Sequence, residues 1–166
     1  MGGKIVMATV ASTAEVLIYK ILQRHNDEAW VNWAYEMLVA GFETESLLVL
    51  AGMRANLDYF EMWDLTDKVL KELKIDYADQ DKIITEYVSY VANRVLSGAE
   101  KPLAALRTLK NIYFELDYDL LLLDFHDLYY AWEDLQHGED QWYLDGVDRS
   151  NIDQAITSCF RQRLKA

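Results

Sequence analysis

Residues 79–116 read DQDKIITEYVSYVANRVLSGAEKPLAALRTLKNIYFEL, and their spacing decides the fold. Ile84, Tyr87, Val88, Val91 and Val95 recur at intervals of three and four, the period of one helix face rather than the alternation of a strand. Asp79 stands where an N-cap belongs and Gly98 where the helix must stop. Pro102 then opens a second helix at the position that needs no amide proton, and Leu103, Leu106, Leu109, Tyr113 and Leu116 line its face.

The same grammar extends in both directions. Upstream, Ala14, Leu17, Ile21 and Leu22 predict a first helix. Asn26 or Asp27 caps a second that carries Trp30, Trp33, Ala34, Met37 and Leu38 and ends at Gly41. Thr44 caps a short third helix, TESLLVLAG, and Leu65, Val69, Leu70 and Leu73 line a fourth with Lys68, Lys71 and Lys74 turned away. Downstream lies an acidic helix, and then Ser150 as the expected N-cap of a last one bearing Ile152, Ala155, Ile156, Cys159 and Phe160. One proline and seven glycines in 166 residues leave little punctuation for a many-turned β fold. The expectation is an all-α, irregular bundle of seven to eight helices forming one domain over 1–166, a length able to bury a sizeable core.

Charge narrows the function. The net charge is −12, and residues 111–150 alone hold 11 acids against Arg149. Residues 151–166 carry Asp153 against Arg161, Arg163 and Lys165. Direct nucleic-acid binding requires clustered basic groups on phosphates, so it is not expected; a basic partner protein is. Cys159 stands alone, which excludes an internal disulfide and suits a reducing cytoplasm. The apolar run of MGGKIVMATVASTAEVLIYKIL follows a single Lys4 and is broken by Thr9, Ser12, Thr13 and Glu15, a poor secretory signal. No stretch supplies the roughly 20 apolar residues of a membrane span.

The acidic helix, within DFHDLYYAWEDLQHGEDQW at 124–142, sorts into two faces. Leu121, Phe125, Leu128, Trp132 and Leu135 make the core stripe. Asp124, Asp127 and Asp134 fall opposite, flanked by Asp119, Glu133, His126 and His137, with Tyr130 projecting from the polar face. His126, Glu133, Asp134 and His137 are the most plausible metal ligands, but Asp134-x-x-His137 occurs once and no second acid-x-x-His accompanies it. One Cys and three His poorly supply a zinc site. No nucleophile elbow and no phosphate-binding glycine loop is present, so no catalytic residues and no cofactor are expected. A face that keeps several mutually repelling carboxylates suits a cationic partner, with Tyr130, Trp142 and Tyr143 as anchors. The competing reading packs Trp142 and Tyr143 against the bundle as structural side chains.

Across EAWVNWAYEMLVAGFETESLLVLAGM and FEMWDLTDKVLKELKI the chain resembles a group of small, largely uncharacterised bacterial helical proteins, some of toxin-immunity type. Trp30, Trp33, Ala34, Met37, Leu38, Gly41, Ser46, Leu47, Leu50, Ala51 and Gly52 carry the resemblance, with a fainter likeness through DYDLLLLDFHDLYYAWEDLQHGE. The resemblance implies no catalytic residue. An immunity role agrees with the acidity, and the expected function is a non-enzymatic protein that neutralises or regulates a basic partner, such as a toxin. Asp119, Asp124, Asp127, Tyr130, Glu133, Asp134, Trp142 and Tyr143 form the expected partner surface. The alternatives are an inhibitor from a phage or mobile element that mimics nucleic acid, a metal-binding helical enzyme, and a homo-oligomer that buries the exposed aromatics.

Overall fold

The computed structural model describes residues 9–53 and 57–164, so the start of the stretch weighed as a secretory signal, with Lys4, lies outside the described residues. The described residues are all-α: α1 (Thr13–Leu22), α2 (Asp27–Val39), α3 (Glu45–Ala51), α4 (Tyr59–Glu72), α5 (Gln80–Leu96), α6 (Pro102–Glu115), a 3₁₀ turn (Leu120–Leu122), α7 (Leu123–His137) and α8 (Ile152–Gln162). No helix is long and apolar enough to cross a membrane among these residues. The chain divides into two compact units that meet in sequence at Gln80 and Asp81.

In the first unit, α1 packs on α2, α2 on α3 and α3 on α4. Asn26 caps α2 by accepting from the Ala29 amide, and Thr44 caps α3 through the Leu47 amide. Asp58 and Glu61 form a reciprocal capping box at α4, which satisfies two amide protons that would otherwise have no partner. Gly41 ends α2 with φ of 100°, a left-handed conformation that side chains resist. The buried face of α1 differs from the expected one. Thr13, Val16, Leu17, Ile18 and Lys20 are buried, whereas Ile21 and Leu22 are only half-buried. Two polar contacts turn the helix this way. Thr13 Oγ1 accepts from the Trp33 indole at 2.9 Å. The Lys20 ammonium donates to the Trp63 carbonyl at 3.1 Å and lies 2.9 Å from the Asp67 carboxylate.

In the second unit, α6 packs on α7 and α7 on α8. Gly98, at φ of 83°, closes α5, and Pro102 starts α6 as its fixed φ and missing amide proton allow. Ala105, Leu106, Leu109, Ile112 and Tyr113 are the buried face of α6. After α6, Asp117 and Tyr118 both adopt left-handed conformations, at a cost of roughly 1–2 kcal/mol per residue. The Tyr118 amide bond to the Tyr113 carbonyl at 2.9 Å holds this reversal in place.

Three expectations around α7 and α8 are corrected. The residues before α7 form a tight 3₁₀ turn, capped by Asp119 on the Leu121 amide, so Leu122 rather than Leu121 is buried. Ala131 takes the core position and leaves Trp132 half-buried. At α8 the N-cap is Asn151, not Ser150. Ser150 is instead drawn back to Asp148, which accepts from both its amide and its hydroxyl.

Candidate functional site

The residues expected to face a partner are distributed over the start of the 3₁₀ turn, α7 and the segment that follows it. Asp119 is spent on capping the 3₁₀ turn. Asp124 is exposed and paired with Arg163, the C-cap of α8, whose guanidinium also donates to the Leu121 carbonyl and lies 5.3 Å from the Phe125 ring. Asp127 is half-buried and bonded to His126 Nδ1 at 2.9 Å, and Glu133 and Asp134 are half-buried as well.

Tyr130 is not the free projection that the helical wheel suggests. It is half-buried, with its ring 4.8 Å from that of His126 and stacked at 5.9 Å on that of Tyr143. Burial, followed by the charge of Glu133, raises the pKa of its hydroxyl. A wheel treats the helix as isolated, and here α6 and the segment after Gly138 close over the face.

The centre of the arrangement is His126. Its ring lies 4.8 Å from Tyr113 and 5.5 Å from Phe114 on α6, and 6.1 Å from Tyr143 beyond α7. Tyr118 extends the cluster by packing edge-on against Tyr113 and Phe114, which follows from the left-handed turn that precedes it. One imidazole therefore joins three stretches of chain. The place of Tyr113 on the face of α6 was legible; its convergence with Phe114 on a histidine from α7 was not.

The segment 138–151 is built around Gln141, a residue that no sequence argument singled out. Its Oε1 accepts from the Tyr143 amide at 2.8 Å and the Leu144 amide at 2.9 Å. Its Nε2 donates to the Leu144 carbonyl and, at 2.9 Å, to the Val147 carbonyl. Asn151 completes the frame by accepting from the Asp148 amide and donating to the Gly146 carbonyl, both at 2.8 Å. Arg149 ties it to α7 through the Leu135 carbonyl at 2.8 Å. The hydrogen bond from Ser150 holds the Asp148 carboxyl below its ordinary pKa. The only hints in the sequence were the turn-forming Asp, Gly, Ser and Asn around it.

This frame gives its two aromatics different fates. Tyr143 is 44% exposed and leans on Tyr130, whereas Trp142 is 89% exposed. Glu139, Asp140 and Asp145 neighbour Trp142 in the chain and are exposed too. The reading that packs both aromatics against the bundle therefore fits Tyr143 and not Trp142.

Chemistry of other kinds finds less support. No group of three or more His, Cys, Asp or Glu able to hold a metal converges among the described residues. His126 is instead engaged by Asp127 and aromatic rings. Burial pushes the Cys159 thiol up to about 11, far from a reactive thiolate. An open cleft of about 500 Å³ between α7 and α8 offers Arg149 and Asp153 as its charged groups. No family model, curated protein or solved structure matches the chain.

Proposed function

We propose that the chain is a non-enzymatic binding protein that neutralises or regulates a basic partner protein, with Trp142 as the anchor and the surrounding carboxylates as the steering field. The observation that carries this reading is the exposure of Trp142, at 89%, on a segment cross-braced by the Gln141 side chain. A large apolar ring held in water by an ordered loop gains from burial against a partner. Little conformational entropy remains to be lost when that happens. Tryptophan is over-represented among interface residues that dominate binding energy, and removing such an anchor costs 2 kcal/mol or more, about thirtyfold in affinity. The carboxylates contribute mainly to encounter: a field of one sign raises association rates by about 10 to 10³ at low salt.

The test is capture of partners from the native host with elution by salt, followed by binding kinetics on the captured protein. Wild type is compared with Trp142→Ala and with Glu139→Gln/Asp140→Asn/Asp145→Asn. The reading expects a basic protein whose association slows steeply with salt. Trp142→Ala should accelerate its dissociation and the charge-neutral variant should slow its association. A partner list that neither variant changes, or a captured protein that is acidic, would overturn it.

A further inference from the structure

We infer that the turn after α6 carries a docking surface for an arginine-bearing segment of the partner, formed by Phe114, Tyr118 and Leu120 and continued through the His126 ring to Tyr143. Phe114 is exposed, Tyr118 is 59% exposed and Leu120 is 76% exposed. The Tyr118 ring lies edge-on to Phe114 at 5.7 Å, Phe114 lies 5.5 Å from His126, and His126 lies 6.1 Å from Tyr143. Those three steps are within reach of about six extended residues, at roughly 3.3 Å each. Large apolar side chains grouped on one surface in water mark an interaction site, whereas single ones are ordinary.

The backbone holds this group in place under strain. Glycine is the usual residue where a helix ends in a left-handed turn, yet Asp117 and Tyr118 occupy this one, at φ of 56° and 62°. Strain of this kind is retained where the placement of a side chain matters. Here the reversal returns Tyr118 to the end of α6, where its ring meets both Tyr113 and Phe114.

Charge decides what covers the surface. Lys110 is the last base of α6, and no lysine or arginine follows until Arg149, while Glu115, Asp117 and Asp119 interleave with the three apolar residues. A second copy would bring the same acids together, on chains that each carry a net charge of −12, and like charges oppose that pairing. A cationic segment meets the opposite sign. The chain's own cations show the mode close by: the Lys110 ammonium lies 4.5 Å from the Tyr129 ring and the Arg107 guanidinium 6.0 Å from it. Arginine fits exposed rings better than lysine does, because a planar, weakly hydrated guanidinium stacks on an aromatic face whereas an ammonium holds its water.

The inference rests on the proposed function for the sign of the partner's charge, and its test uses no host protein. Hexa-arginine and hexa-lysine peptides are titrated into the full chain at about 150 mM salt, where attraction beyond about 8 Å is largely screened. The wild type should bind hexa-arginine about fivefold more tightly than hexa-lysine, since each exposed ring contributes about two- to fivefold. Phe114→Leu/Tyr118→Asn removes both rings, and asparagine tolerates the left-handed turn. That variant should lose most of the preference while its hexa-lysine binding changes little. Tyr35→Ala, which removes an exposed ring of α2 beside Glu36, should keep the preference intact. Equal binding of the two peptides by the wild type, a preference that survives in the double variant, or its loss in Tyr35→Ala would overturn the inference. So would self-association of the wild type, measured by sedimentation without peptide, that the double variant abolishes, because the face would then belong to a second copy. Should the double variant not fold, NMR on the wild type decides: hexa-arginine must shift the amides of Phe114, Tyr118 and Leu120, and shifts confined to other segments reject the site. An arginine preference with no basic partner in the host rejects the proposed function alone. A basic partner that needs Trp142, with no arginine preference, rejects this inference alone.

Discussion

The ammonium of Lys20 lies 3.7 Å from the centroid of the Trp63 ring, with its side chain 1% exposed. Trp30 and Tyr77 stand at 5.6 and 5.9 Å, and Asp67 supplies the counter-charge. Burial lowers the Lys20 pKa and Asp67 partly restores it, so the cation depends on its carboxylate.

The two partners of this pair should respond unequally to substitution. Lys20→Met removes a buried charge and leaves an apolar chain of similar length among aromatic rings. Asp67→Asn leaves the charge buried and uncompensated, which costs more than losing both. Because Asp67 is itself 40% exposed, the expected destabilisation for Asp67→Asn is about 1–3 kcal/mol rather than the full buried-pair value. Urea unfolding should rank Asp67→Asn below Lys20→Met in stability; the reverse order would reject this account.

Tyr77 provides a pH test at the same place. Its hydroxyl donates to Asp67 at 2.7 Å, and burial, with the Asp67 charge behind it, pushes its pKa from 10.0 to about 12. The folded protein thus keeps a proton that the unfolded chain releases. By linkage, this contribution to stability is fully present below pH 10 and is lost as pH rises towards about 12. Unfolding of wild type and Tyr77→Phe, compared across that window, should show the variant losing less stability; parallel curves would contradict it.

Arg163 and Asp124 should also differ, although they form one ion pair. Asp124 is mostly exposed, so Asp124→Asn should change stability by no more than about 0–1 kcal/mol. Arg163 additionally satisfies the Leu121 carbonyl and covers the Phe125 ring, so Arg163→Ala loses packing as well as charge. Thermal unfolding of the two variants should place Arg163→Ala clearly lower, and equal melting temperatures would show that the packing contributes nothing.

Cys159 should behave as a structural thiol. With its pKa near 11, mostly through burial, the thiolate fraction at neutral pH is very small. Alkylation at about pH 8, near the ordinary cysteine pKa, should be at least tenfold slower in folded than in urea-unfolded protein. Equal rates would show that the side chain is accessible and reactive in the fold.

Much of the helical grammar was legible because it is local. Asn26, Thr44, Gly41, Gly98 and Pro102 act within one turn of chain, and each does what its chemistry dictates. The lysines of α4 are exposed, as their spacing implies. Two of the misplacements share one cause. Ser150 was displaced by an Asp148–Asn151 arrangement, and the α1 stripe was rotated by Lys20, each through a polar contact that a hydrophobic period cannot register.

For the candidate site the division is sharper. The sequence by itself determined the helical class, the concentration of 11 acids against one base in residues 111–150, and the presence of Trp142 and Tyr143 within it. Only the tertiary structure decided that Tyr130 is packed rather than free, that His126 gathers rings from α6 and from the segment beyond α7, and that Gln141 holds Trp142 out in water. The reason is range. Charge and helical period are sums over neighbouring residues, whereas the surroundings of one side chain depend on which distant segments the packed core brings beside it.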